Sequence, residues 1–169
     1  MYYAQIRKFD VSNGPGIRSS LFVSGCTHRC EGCFNESYQH FNYGNEWTKE
    51  IEDQFINQLK DPNIQGVTIL GGEPFDQIKT NDLLDLVKRI KEETKLKIWI
   101  YSGYTFEEIL RHPLRRKILS YCDVLVDGKF VKELKDLTLK FRGSKNQRMI
   151  NIKSSLNQNQ IILLEDNDY

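Results

Sequence analysis

Three cysteines, Cys26, Cys30 and Cys33, crowd into the stretch GCTHRCEGCFN (Gly25–Asn35), and a fourth, Cys122, lies far downstream. In a reducing compartment such a cluster points to metal binding or catalysis rather than to disulfides. A closed structural zinc site normally takes four protein ligands, and an iron–sulfur cluster that only carries electrons is usually held by four cysteines. This loop offers three. His28 would complete either site only by folding its ring back within a five-residue loop. Cys122, in SYCDVLV, would complete it too, but reads as a residue entering a buried strand, where free cysteine behaves as a small hydrophobe. Three ligands and one open position is the arrangement of a catalytic metal site. On four-iron geometry, three irons are held by thiolates and one is free for an outside molecule. The C-x3-C-x2-C spacing wraps the three sulfurs around one short loop.

Elements on either side must position this loop. IRSSLFVSG (Ile17–Gly25) is apolar and β-branched and reads as a strand, preceded by the turn sequence NGPG. GVTILGG (Gly66–Gly72), KIWIYSG (Lys97–Gly103) and DVLVDG (Asp123–Gly128) are short apolar runs of the kind buried on both faces of a parallel sheet. QIILLE (Gln160–Glu165) is expected to add another strand, whereas RMINIKSSLNQNQ reads as polar and irregular. Helical patterns alternate with the strands. One follows Thr48, a plausible N-cap, with Ile51, Phe55, Ile56 and Leu59 recurring, and one follows Thr80 with a stripe of Leu83, Leu84, Leu86, Val87 and Ile90. TFEE (Thr105–Glu108) is a capping-box signature, with Pro113 ending or interrupting its helix. The alternation predicts an α/β fold with a largely parallel sheet of about five or six parallel strands. SGC, GGEP, SGY and DGKF each follow a strand, so they are expected to gather at the edge where such sheets bind ligands.

Composition narrows the function. Of 169 residues, 24 are basic and 23 acidic, a formal net charge of +1 that gives no global pull toward nucleic acid or anionic membrane. A local excess runs from Leu137 to Leu164, with Lys140, Arg142, Lys145, Arg148 and Lys153 and no acid, suited to an anionic ligand, a partner surface or a solvated face. No stretch approaches a membrane span, and MYYAQIRKFD lacks an apolar signal-peptide core, so the expected compartment is the cytoplasm. Without repeats, low-complexity tracts or linkers, residues 1–169 are expected to form a single domain.

C-x3-C-x2-C after the first of these strands and GGEP (Gly71–Pro74) after the second resemble the two signature motifs of the radical S-adenosylmethionine (SAM) enzymes. That family commonly carries an aromatic residue just before the last cysteine. Here Gly32 holds that place and Phe34 follows Cys33, a departure similar to the branch that activates anaerobic ribonucleoside-triphosphate reductase. NGPGIRSSLFVSGC, GCFN, SGYTFEE, DVLVDGKFV and RGSKNQR resemble the same branch, and the similarity runs from about Ile6 to Ile152. The fold it implies is a partial (βα) barrel of the radical SAM type.

The resemblance implies one 4Fe–4S cluster on Cys26, Cys30 and Cys33, with SAM on the open iron through its amino and carboxylate groups. One electron from the cluster would break the S–C5′ bond, and the resulting 5′-deoxyadenosyl radical would take an α-hydrogen from a glycine of the reductase's large subunit. No side chain is then catalytic in its own right; the cofactors carry the chemistry. The GGEP glycines would let backbone approach SAM, and its carbonyls with the Glu73 carboxylate would accept from the ammonium, while Pro74 fixes the turn; a plain exposed loop acid is the alternative for Glu73. Gly32, Cys33 and Phe34 would meet adenine or ribose, although Phe34 could equally pack a core. Gly72, Ser102, Gly103, Tyr104, Asp127 and Lys129 are candidates for the rest of SAM or the partner's loop, against turn and ion-pair roles. Arg142, Asn146, Gln147 and Arg148 fall at the mouth or on the partner contact, and Arg18 has no assigned role. His28 and His40 read as surface residues. The short chain suggests an open site closed by the partner, with an electron donor such as a flavodoxin-like protein. Two rivals stand beside this: an activase of another glycyl-radical enzyme, and a non-enzymatic metal-binding docking module.

Overall fold

The computed structural model describes residues 1–165. The strands are β1 (Tyr2–Asp10), β2 (Arg18–Val23), β3 (Asn45–Glu46), β4 (Gly66–Gly71), β5 (Lys97–Tyr101), β6 (Val124–Asp127) and β7 (Arg148–Asn151). The helices are α1 (Lys49–Gln58), α2 (Asp82–Glu93), α3 (Phe106–Leu110), α4 (Pro113–Ser120) and α5 (Ile152–Gln158). One seven-stranded sheet runs in the order β3-β1-β2-β4-β5-β6-β7. β2, β4, β5 and β6 are parallel, while β1, β3 and β7 pair antiparallel at the edges. The sheet is therefore mixed, with four parallel strands rather than five or six, and the strand order does not by itself describe a barrel.

The parallel strands are those with continuous apolar runs. β2 and β6 are buried along their whole length, and β4 up to Leu70. Alternation divides their side chains between two faces. Leu21, Val23, Val67, Ile69, Ile98, Ile100 and Leu125 pack with Phe55, Ile56, Leu83, Val87, Ile109, Ile118 and Ile152 from the helices. Trp99, Val124 and Val126 point the other way, against Tyr101, Phe141 and Met149. Thr48 caps α1 by accepting from Ile51 N–H, and Thr105 with Glu108 forms the expected capping box of α3. Pro113 stops that helix by opening the next at its first position, where its missing N–H costs nothing.

Two expectations at the sheet edges are corrected. QIILLE is not a strand: Leu163 makes only an isolated bridge to Ile150. The stretch expected to be irregular supplies β7, in which Ile150 alone is buried, so no alternation announces it. β1 was not anticipated either, because its side chains are mostly half-exposed or exposed. Arg18 opens β2 at the end of the sheet away from the cysteine loop. It is 3% exposed, donates to Thr68 Oγ1 and to the carbonyls of Pro15, Val67 and Lys97, and lies over Trp99. Burial lowers its pKa to about 10. No helix among the described residues is long and apolar enough to cross a membrane.

Candidate metal centre

The loops after the carboxyl ends of β2, β4, β5 and β6 meet at one edge, as the strand–motif pattern predicts. Cys26, Cys30 and Cys33 line a cavity of about 150 Å³ together with Gly71, Gly72, Glu73, Ser102, Gly103 and Gly128. All three thiols are free and partly exposed. Burial, with the charges of Glu73 and Asp76 added, pushes the Cys26 thiol up to about 11, and burial with the neighbouring Cys33 raises that of Cys30. Bare thiolates are thus disfavoured here. A bound cation reverses that preference and deprotonates its thiols outright. Three cysteines on an open cavity suit an iron–sulfur cluster with one corner accessible. Cys122 is fully buried, donates to Ile118 O at 3.5 Å and sits at the opposite end of β6, a strand's length from the loop. It belongs to the core, as its sequence context suggests.

Close backbone contact joins the β2 and β4 loops. Gly72 N–H donates to Val23 O and Glu73 N–H to Gly25 O. A Cβ on Gly72 would stand 2.6 Å from Gly25 O and 2.7 Å from Tyr38 O, so only glycine fits. Glu73 is not an exposed acid: it is 0% exposed. Its Oε1 accepts from Gly103 N–H at 2.7 Å and lies 2.7 Å from His28 Nε2; its Oε2 accepts from Ser102 Oγ at 2.8 Å and Phe75 N–H at 2.9 Å. The carboxylate ties three loops together.

His28 is also not a surface residue. Its side chain is 6% exposed, turned onto Glu73, with the Tyr104 ring edge-on at 4.3 Å. The cause is Glu73, which reaches it from the β4 loop and offers an acceptor at 2.7 Å. His40 is exposed, as expected. Ligand atoms of Cys26, His28 and Asp76 come within 4.8 Å of one another, but Asp76 already takes four protein donors, so the trio is a poor cage for a separate ion.

The remaining candidates divide. Phe34 is 60% exposed and tilts against Phe130 at 4.9 Å, and Gly32 turns with φ +72°. Asp127 is 1% exposed and does not line the cavity; it accepts from Phe106 N–H and from Arg148, which also bridges to Glu107. Those carboxylates, through their hydrogen bonds, raise the Arg148 pKa. Gln147 and Asn146 brace the loop after β6: Gln147 accepts from Gly143 and Ser144 N–H and donates to Gly128 O, and Asn146 donates to Lys129 O. Gln147 also lines the cysteine cavity and, with Phe34, Leu70, Tyr101, Phe130 and Arg142, a second cavity of about 560 Å³.

Residues 12–150, which hold the cysteine loop and all four parallel strands, match the family described as 4Fe-4S single cluster domain. The anaerobic ribonucleoside-triphosphate reductase-activating protein of Escherichia coli strain K12 is 45% identical over 150 residues, covering 87% of this chain and 96% of that protein. The protein of the same name in Vibrio cholerae is 45% identical over equal shares. Its namesake in Enterobacteria phage T4 is 39% identical over 150 residues, 88% of this chain and 93% of that one. The chain belongs to the anaerobic ribonucleoside-triphosphate reductase-activating protein family. In this family member the 4Fe–4S domain is built around a loop whose polar anchors lie far away in sequence. Thr27, Asp76 and Arg115 have no role in the sequence reading, and Tyr104, a candidate SAM or partner contact there, donates its hydroxyl to Asp76; the one local hint was a second acid, Asp76, three residues after Glu73.

Proposed function

We propose that this chain is a radical SAM activase that installs a glycyl radical on the large subunit of anaerobic ribonucleoside-triphosphate reductase. The observation that carries the proposal is the three-thiol loop opening on a cavity walled by GGEP, in a chain that matches reductase-activating proteins along almost their whole length. Cys26, Cys30 and Cys33 would hold one 4Fe–4S cluster. When bound and reduced, the cluster would supply one electron to the SAM sulfonium, so that the S–C5′ bond would break to methionine and a 5′-deoxyadenosyl radical that would take the α-hydrogen of the partner's glycine.

The chain's own residues bind, orient and exclude water. The Gly71 and Gly72 backbone offers close approach to the amino-acid end of SAM. Glu73, saturated by four donors, shapes that wall more than it contacts the ligand. Ser102 and Gly103 face the ligand from the β5 loop, and Gly32, Cys33 and Phe34 from the cysteine loop. Asp127 acts through Arg148 and the α3 N-terminus. The larger cavity shares Phe34, Leu70 and Gln147 with the cysteine cavity and gives the glycine segment its way in. Arg142 Nε, buried beside that cavity without a hydrogen-bond partner among the described residues, is a donor for an incoming backbone carbonyl. On this proposal the sheet, with its helix layer on one face, is the partial barrel of the radical SAM enzymes. The protein works in the cytoplasm, and a flavodoxin-like protein supplies the electron.

The test is anaerobic incubation of reduced, iron-reconstituted protein with SAM and the reductase large subunit, followed by electron paramagnetic resonance. A glycyl doublet on the reductase is expected. A doublet only on a different glycyl-radical enzyme, or metal binding without SAM cleavage, would replace the proposal with one of its rivals.

A further inference from the structure

We infer that Asp76 positions the cysteine loop, acting through Thr27 and braced by Tyr104 and Arg115; the inference rests on the proposal that Cys26, Cys30 and Cys33 hold a cluster. Between Cys26 and Cys33 the chain turns through positive φ at Arg29 (52°) and Gly32 (72°). Thr27, Arg29, Glu31 and Gly32 are exposed, so between the half-buried cysteines the path is held by the inward turn of His28 onto Glu73 and by the bonds of Thr27. Among the described residues, Thr27 has the one backbone N–H from 27 to 33 that bonds outside the loop, and its acceptor is Asp76 Oδ2 at 3.0 Å. The Thr27 hydroxyl donates to the same oxygen at 2.9 Å.

Asp76 is suited to the role because everything around it is fixed. It closes the 3-10 turn Pro74–Asp76 that Glu73 caps, and it is 8% exposed. Its Oδ1 accepts from the Tyr104 hydroxyl at 2.5 Å and from Arg115 at 3.4 Å. Arg115 also donates to Phe75 O at 2.8 Å and to the Tyr104 hydroxyl at 3.1 Å, and its guanidinium lies 4.3 Å over the Tyr104 ring. The GGEP turn thus delivers two carboxylates to adjacent loop residues, Glu73 to His28 and Asp76 to Thr27. The second sets where the Cys26 sulfur stands relative to Cys30 and Cys33. Asp76 is a positioning residue: it does not line the cysteine cavity.

Groups hydrogen-bonded directly to metal ligands typically cost about 10- to 100-fold in metal affinity when removed, an upper bound for a group that acts one residue further out. The experiment is anaerobic reconstitution of the full chain, then the rate of iron release to a chelator, the resonance spectrum of the reduced cluster, and the urea midpoint of the metal-free protein. Asp76→Asn is expected to release iron up to about 10-fold faster than the parent, the low end of that range, because Asp76 reaches Cys26 only through Thr27. Thr27→Val, at an exposed site, is expected to release iron faster and alter the spectrum without moving the metal-free midpoint. Thr27→Ser keeps both bonds and should behave as the parent. Parental release and spectrum in Thr27→Val and Asp76→Asn would overturn the inference, and Thr27→Val decides alone if Asp76→Asn does not fold. A parent chain that takes up no cluster removes this inference and the proposed function together; parental behaviour of the variants in a chain that does cleave SAM removes the inference only.

Discussion

Replacing Glu73 with Gln takes one acceptor oxygen from a place where four protein groups converge. Two of those groups can adapt: the Ser102 hydroxyl rotates, and His28 changes tautomer. The N–H groups of Phe75 and Gly103 cannot. Whichever way the new amide turns, its NH2 faces one of them, and one backbone donor loses its acceptor. The Gly103 side is favoured, because Gly103 is half-buried while Phe75 is 0% exposed. An orphaned buried donor costs about 1–3 kcal/mol, and the remaining contacts lose the strength that ionisation gave them. The expected loss is about 2 kcal/mol, or roughly 4–8 °C in Tm for a chain of this size. Urea denaturation of the metal-free protein under nitrogen measures it, with an unchanged slope showing that the unfolded state is unaltered. A parental midpoint would refute the reasoning: the carboxylate would not be held by these donors and would be free to take the SAM ammonium directly.

Alanine at Cys26, Cys30 or Cys33 should each abolish cluster assembly, read as iron per chain, whereas Cys122→Ala should keep full iron and lose about 1 kcal/mol of stability for the buried atom removed. Gly72→Ala should cost about 3 kcal/mol, the top of the overpacking range, because its Cβ meets backbone that cannot move aside, and should impair reconstitution, while Gly32→Ala, whose Cβ meets nothing closer than 3.5 Å, should cost only about 1–2 kcal/mol for its positive φ; equal losses in a urea titration would contradict the contrast. Asp123 is a pH test away from the site. Burial alone would raise its pKa, but hydrogen bonds from Lys91 and Ile98 N–H hold it below the usual carboxylate range. A depressed folded pKa means its stabilisation is full at neutral pH and is lost as pH falls through that lower value. Asp123→Asn should therefore be less stable than the parent at pH 7, with the gap closing below about pH 4, the ordinary aspartate value; a gap constant down to pH 3 would contradict the assignment.

What the sequence discloses here is what lies within a few residues. The cysteine spacing, the glycines of GGEP and the capping box at Thr105 and Glu108 are local patterns; the capping box forms, and the cysteines and Gly71 and Gly72 line one cavity. The continuous apolar runs of β2, β4, β5 and β6 need burial on both faces and so announce a parallel core. β1 and β7 lie at or near the antiparallel margins, where a single residue of each strand, Asp10 and Ile150, is buried and the pattern dissolves. The inward turn of His28 and the Asp76–Thr27 link were illegible for another reason. Their partners come from loops 45 and 49 residues away, and no periodicity encodes a contact between two loops. The same holds for Asp127, whose partner Arg148 arrives on the unanticipated β7.

The proposed vacancy on a cluster held by three thiolates is best measured by Mössbauer spectroscopy of protein reconstituted with iron-57, before and after SAM is added. Four irons per chain are expected, with one set apart from the other three and changed by SAM. Four equivalent irons indifferent to SAM, or a signal that alters in Cys122→Ala, would mean that this polypeptide closes the cluster itself.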